Sequence, residues 1–77
     1  MLKDLVEFLS KSLVDQPEKV SVSEVTKNSV TVFELRVAKE DIGKVIGKKG
    51  RTAQSLRTLL AAAGTKLGKR TSLEIIE

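Results

Sequence analysis

Residues 42–53, Ile42-Gly43-Lys44-Val45-Ile46-Gly47-Lys48-Lys49-Gly50-Arg51-Thr52-Ala53, set Gly-Lys-Lys-Gly between two stretches of helical pattern. Glycine lacks a Cβ, so its backbone turns sharply and approaches a ligand closely. The loop opens directly into a helix at Arg51. A helix N-terminus presents unpaired N–H groups and partial positive charge, which together favour phosphate. Lys48 and Lys49 stand at the tip, where a side chain has nothing to pack on. Arg51 follows in the first helical turn, where a cation opposes the helix dipole unless an anion sits beside it. Two other glycine motifs fail. A P-loop needs glycine five residues after Gly43, where Lys48 stands, and the dinucleotide fingerprint breaks at Val45.

The pattern outward from this loop gives an order α-β-β-α-α-β. Leu2, Leu5, Val6, Leu9 and Leu13 form an apolar stripe that predicts a helix over about residues 2–15, stopped by Pro17. Residues 20–37 predict a hairpin. Val20, Val22 and Val25 belong to its first strand, Lys27-Asn28-Ser29 to its turn and Val30–Val37 to its second strand. Alternation puts Phe33, Leu35 and Val37 on one face and Glu34 and Arg36 on the other. A short helix over 41–46 ends at Gly47. A longer one follows Gly50, where Ala53, Leu56, Leu60, Ala63 and Leu67 keep a 3–4 spacing, and ends at Gly64 or Gly68. Leu73 and Ile75 mark a last strand over about 70–76. The expected core is Leu5, Leu9, Phe33, Leu35, Leu56, Leu60 and Leu73.

Composition narrows the chemistry. The chain has 77 residues with no cysteine and no histidine. That length suits one domain, residues 1–77. Without those side chains there is no disulfide, zinc finger, haem ligand, or Cys–His or Ser–His–Asp catalytic set. No cofactor and no metal site is expected, and no two carboxylates fall in a recognisable catalytic pairing, so an enzyme is not expected. No apolar run nears the roughly 18 residues of a membrane span. Acids among the apolar residues at the start argue against a signal peptide, so the expected location is cytoplasmic.

The net charge is +4, and it is not evenly spread. Residues 1–38 hold five bases against six acids, while residues 39–77 hold nine against four. A basic half on a small domain points to a polyanion. Phe8 and Phe33 are the only aromatic residues. Base stacking of the kind used by many sheet-surface RNA readers is therefore not available.

A Gly-x-x-Gly between two helices, after a hairpin and before a last strand, resembles the KH domain. The element order looks like the type II form. A basic chain of this length with Leu-Val-Glu-Phe-Leu near its start and Gly-Lys-Val-Ile-Gly-Lys-Lys-Gly-Arg at its centre is similar to the bacterial KhpA family of small RNA-binding proteins. The resemblance spans the whole chain. It implies an α+β fold, with three helices packed on one face of a three-stranded mixed sheet. It implies a clamp on short single-stranded RNA, with Gly47, Lys48, Lys49 and Gly50 on the sugar–phosphate backbone. Gly43 would leave space for a base, Ile46 would give an aliphatic floor, and Lys44 and Arg51 would flank the strand. It also implies a role as an RNA chaperone or post-transcriptional regulator, and pairing as a homodimer or as a heterodimer with a larger Jag-type KH protein. One position departs from the family pattern: Ala53 stands where many KH domains carry a large aliphatic residue. Two readings compete. A helix-turn-helix DNA binder also joins two helices by a tight glycine turn, but its second helix would have to read bases with only Arg51, Gln54 and Arg57. The other is a protein-interaction module built on leftover apolar surface. Arg57 and the Lys66, Lys69, Arg70 group read as ordinary solvated surface.

Overall fold

The computed structural model describes residues 1–77. Its elements are α1 (Leu2–Leu13), β1 (Ser21–Lys27), β2 (Val30–Arg36), α2 (Ile42–Ile46), α3 (Arg51–Lys66) and β3 (Arg70–Ile76), with 3₁₀ turns at Pro17–Lys19, Lys39–Asp41 and Lys48–Gly50. The sheet order is β1-β2-β3. β2 is central, antiparallel to β1 and parallel to β3, so the sheet is mixed. This is the α+β arrangement that the sequence pattern implies. No helix is long and apolar enough to cross a membrane.

The hairpin turn is tighter than the three residues expected. It has two central residues, Asn28 and Ser29, both with positive φ (50° and 67°). That is the type I′ geometry whose twist matches paired strands, and Asn tolerates it. Register then follows. Val22 faces Leu35 on β1–β2, and Phe33 faces Leu73 on β2–β3. Phe33 and Leu35 have no solvent exposure, and they meet Leu2, Val6, Val20, Val22, Val45, Leu56, Leu60 and Leu73 in one cluster. The helices therefore cover the face that carries Phe33, Leu35 and Leu73. Val32 points to the other face, and its neighbours Val25 and Ser72 on the flanking strands shield it there.

Two expectations need correction in α1. The helix ends at Leu13, and Val14 is already extended. The segment that follows is used elsewhere: the Gln16 N–H donates to buried Asp41 (3.0 Å), and Asp15 pairs with Lys44 (3.1 Å). These contacts tie the end of α1 to α2, and they outweigh two more residues of helix. The inward line of α1 is Leu2, Val6 and Ser10. Leu9 packs partly against the core, but Leu5 stands in an apolar cleft with Met1, Leu2, Ala63, Lys66 and Leu67. The stripe contained two lines four residues apart, and the one through small Ser10 turns inward. The other expected core residues lie in the cluster.

Ser10 is fully buried, and its Oγ has no hydrogen-bond partner. An unpaired buried hydroxyl opposes folding by about 1–3 kcal/mol. Ser10→Ala is therefore expected to hold or raise the melting temperature, by several degrees if about 1 kcal/mol is recovered. Leu56→Ala is expected to lose about 2–5 kcal/mol, because it opens a cavity under α3. Thermal and urea melts check both. A marked loss in Ser10→Ala, or none in Leu56→Ala, would contradict this packing.

Candidate nucleic-acid interface

The glycine loop is built around an unusual backbone. Gly47 has φ 78° and ψ 172°, a region that only glycine populates freely. A Cβ there would collide with the side chain and backbone N of Thr52. Lys49 (φ 57°) and Gly50 (φ 73°) follow in left-handed conformations. A Cβ on Gly50 would meet nothing within 4 Å, so its requirement is conformational alone. The turn is closed by Gly47 N–H to the Gly43 carbonyl (2.8 Å) and Gly50 N–H to the Gly47 carbonyl (3.1 Å). The Arg51 N–H bonds the Lys48 carbonyl. The N–H groups of Lys48 and Lys49 take no part in these loop bonds. The tip stands beside the positive end of the 16-residue α3.

The expected site residues gather here. Gly43, Lys44, Lys48, Lys49 and Arg51 are exposed, and Ile46, Gly47 and Gly50 are half-buried. Nothing lies within 4 Å of where a Cβ on Gly43 would stand, which leaves open space on α2. Val45 is fully buried and plainly core, so Ile46 is the aliphatic residue that reaches the surface beside the loop. Ala53 is buried at the base of α3, where it packs without a large side chain.

Lys44 differs from expectation. Its Nζ lies 3.1 Å from Asp15 Oδ2. The hydrogen bond with Asp15 raises its pKa above 10.5; the Asp15 charge adds to this and the Asp41 charge adds less, while desolvation opposes them. Because the ammonium pKa is raised on folding, the pair's contribution is present at neutral pH. It is lost only as pH rises through the folded-state pKa. Both side chains are exposed, so the pair adds little to stability. It does set a carboxylate against the charge that Lys44 presents to an incoming anion. Lys48, Lys49 and Arg51 have no such partner.

The sequence reading missed a groove of about 480 Å³ between α3 and the edge strand β3. Gln54, Arg57, Thr58 and Ala61 line it from α3, and Thr71, Ser72 and Leu73 line it from β3. It begins where the loop ends, because Gln54 lies one turn beyond Gly50 on the same side of α3. Arg57 lies across it, its Nε 3.4 Å from the Leu73 carbonyl. The polar spacing Arg51, Gln54, Arg57, Thr58 is visible in the sequence, but the strand opposite is not. No group of three or more His, Cys, Asp or Glu side chains comes together. The site therefore offers backbone donors, cations and amide or hydroxyl groups over an aliphatic floor. Such a set is chemically suited to a phosphate chain and its pendant groups.

Known proteins resemble this chain in sequence and in fold. Residues 3–75 match the family model described as KhpA/KhpB, KH domain. The chain is 54% identical over 76 residues to RNA-binding protein KhpA of Aquifex aeolicus, covering 99% of this chain and 96% of the relative. It is 53% identical over 75 residues to the protein of that name from Clostridium acetobutylicum, covering 97% and 100%. Among solved structures, Aquifex aeolicus Era bound to GDP.AlF4 superposes with a TM-score of 0.68 at 19% identity, over 96% of this chain but 29% of Era. Era in complex with nucleotides 1506–1542 of 16S ribosomal RNA gives a TM-score of 0.60 at 20% identity, over 96% and 28%. At those identities the likeness to Era is one of fold.

The two loop glycines are expected to differ in their tolerance of alanine. Gly47→Ala faces both a forbidden backbone region and Thr52, and is expected to lose more than about 2 kcal/mol. Gly50→Ala meets only the left-handed penalty of about 1–2 kcal/mol. Urea melts of the two variants check the order, and equal losses would contradict the loop geometry.

Proposed function

The chain belongs to the KhpA/KhpB KH-domain family, and from that premise we propose that residues 1–77 act as a single KH domain that binds short single-stranded RNA. The relatives named RNA-binding protein KhpA support the RNA partner. The observation that carries the mechanism is the Gly47–Gly50 loop, with its two positive-φ glycines, two lysines outside any ion pair and a groove running from it. Phosphates sit against the Lys48 and Lys49 N–H groups and ammoniums, and Arg51 takes the next one. The base nearest the loop lies over Gly43 on Ile46. Further bases enter the groove, where Leu60 and Ala61 give apolar contact and Gln54, Arg57 and Ser72 meet their polar edges. One wall is a helix and the other a strand edge, a width that suits one strand better than a duplex. With Phe33 in the core and Phe8 on α1 away from the groove, bases meet no aromatic ring, so sequence preference is weak.

This reading favours a cytoplasmic RNA chaperone or post-transcriptional regulator over an enzyme. It also displaces the helix-turn-helix alternative, because α3 lies on the sheet with Ala53, Leu56, Leu60 and Gly64 inward and does not stand clear of the body. Self-association, or pairing with a larger Jag-type KH protein, is the accompanying reading. The exposed Phe8, Leu59 and Leu67 supply apolar surface for it.

Replacing Lys48 and Lys49 with aspartate is expected to leave the circular dichroism melt near wild type, within about 0.5 kcal/mol. RNA affinity is expected to collapse, because attraction beside the phosphates becomes repulsion. Unchanged affinity in a folded variant would sink the loop mechanism. With Lys44 held by Asp15, three cations remain at the loop, so log K for a short strand is expected to fall with log salt at a slope of about −2. Asp15→Asn frees Lys44, and is expected to strengthen binding and steepen that slope toward −3. An unchanged slope would place Lys44 outside the site.

A further inference from the structure

We propose that the pole of the domain opposite the glycine loop is a second RNA-backbone site, formed by Lys27, Lys66, Lys69 and Arg70, which holds phosphates of the same strand beyond the groove. This rests on the RNA-binding reading and extends it. The α3 helix separates the two poles. Its 16 residues span about 24 Å at 1.5 Å per residue, a large part of the 34 Å long axis. At its far end the chain forms a tight cap. Lys69 N–H bonds the Gly64 carbonyl (2.8 Å) and Gly68 N–H bonds the Thr65 carbonyl (3.0 Å), with Gly68 at φ 71°. This is the Schellman arrangement. Gly64 seats the helix end directly on β3: a Cβ there would lie 2.7 Å from the Thr71 side chain. Lys66, Lys69 and Arg70 are therefore presented from a fixed backbone. Lys27 joins them through the sheet, because Lys27 pairs with Val30 and Val30 pairs with Arg70. Lys27 and Arg70 thus stand on one row about 10 Å apart, twice the strand spacing, on the sheet face that the helices leave open.

All four cations are exposed, and none is in an ion pair. The nearest carboxylate along β3, Glu74, is about 13 Å further on. Lys66 suits the end of the helix dipole, but Lys69, Arg70 and Lys27 lie outside any helix and have no such reason. Four uncompensated cations at one end repel one another, so the arrangement favours a polyanion. The path to it is continuous. The groove ends at Thr71, next in the chain to Arg70, and Thr65 carries the exposed side of α3 from Ala61 to the cap. A strand gripped at the loop and laid along the groove therefore leaves it at the turn that carries Lys69 and Arg70, and reaches Arg70 around the sheet edge. Four nucleotides fill a KH clamp; the second pole engages only longer RNA.

The test compares single-stranded RNA of mixed sequence as a tetranucleotide and a decanucleotide, by fluorescence anisotropy across a salt series. Longer RNA offers more registers and binds somewhat more tightly for that reason alone, but registers do not change the salt slope. The wild-type slope is expected to be steeper on the decanucleotide by about 2–3, the yield of four further cations on a single strand. In Lys27→Gln/Lys66→Gln/Lys69→Gln/Arg70→Gln the decanucleotide slope is expected to fall to that of the tetranucleotide, with tetranucleotide binding unchanged. Equal wild-type slopes at both lengths would overturn the second site, and so would a variant weakened equally on both. Either result, with wild-type tetranucleotide binding present, leaves the loop reading standing. A wild type that binds neither RNA would overturn the loop reading as well.

Discussion

The site depends on one backbone position. Gly47 joins α2 to α3 in a conformation open only to glycine, with Thr52 packed where a Cβ would be. This contact sets how closely the two helices approach. It also fixes the direction in which the next two residues leave the body. With Gly47 and Gly50 donating to turn acceptors, Lys48 and Lys49 stand exposed at the tip. A side chain at Gly47 would force the turn open, and the donors, the lysines and the positive end of α3 would no longer converge. Glycine is required there by packing and by conformation, and at Gly50 by conformation alone.

Around that turn the acids are engaged away from the loop tip. Buried Asp41 accepts the Gln16 N–H and so holds the segment after α1 against the start of α2. One residue before Gln16, Asp15 holds Lys44. The loop cations have no such partner. The groove that follows carries one guanidinium, Arg57, among neutral polar and aliphatic groups. Affinity at such a surface comes from the backbone of a ligand, and its bases are sampled by contacts that discriminate weakly. In the proposed mechanism, many different strands are held by the same small set of donors.

The element order, the loop and the sheet face of Phe33 and Leu35 were legible in the sequence, because each rests on local pattern. Alternation set the strand faces, and glycine spacing set the loop. What was not legible depends on distant partners. The α1 stripe offered two inward lines, and the choice of Leu2, Val6 and Ser10 over Leu5 depends on how closely α1 approaches its neighbours. The early end of α1 depends on Lys44 and Asp41, at least 25 residues from the groups they hold. The groove needs β3 beside α3, so Arg57 read as plain surface until its strand neighbour was in place.

The central claim is that the loop backbone itself grips the strand. The most direct measurement is a ¹⁵N–¹H chemical-shift titration with a tetranucleotide RNA, which reads each N–H separately. The account predicts the largest shifts at Lys48 and Lys49, then at Gly50 and Arg51, with smaller ones at Gln54, Arg57 and Ser72. The uncovered sheet face around Val25 and Glu34 should stay still. Shifts concentrated on that face, or on α1 around Phe8, with a silent loop would contradict it.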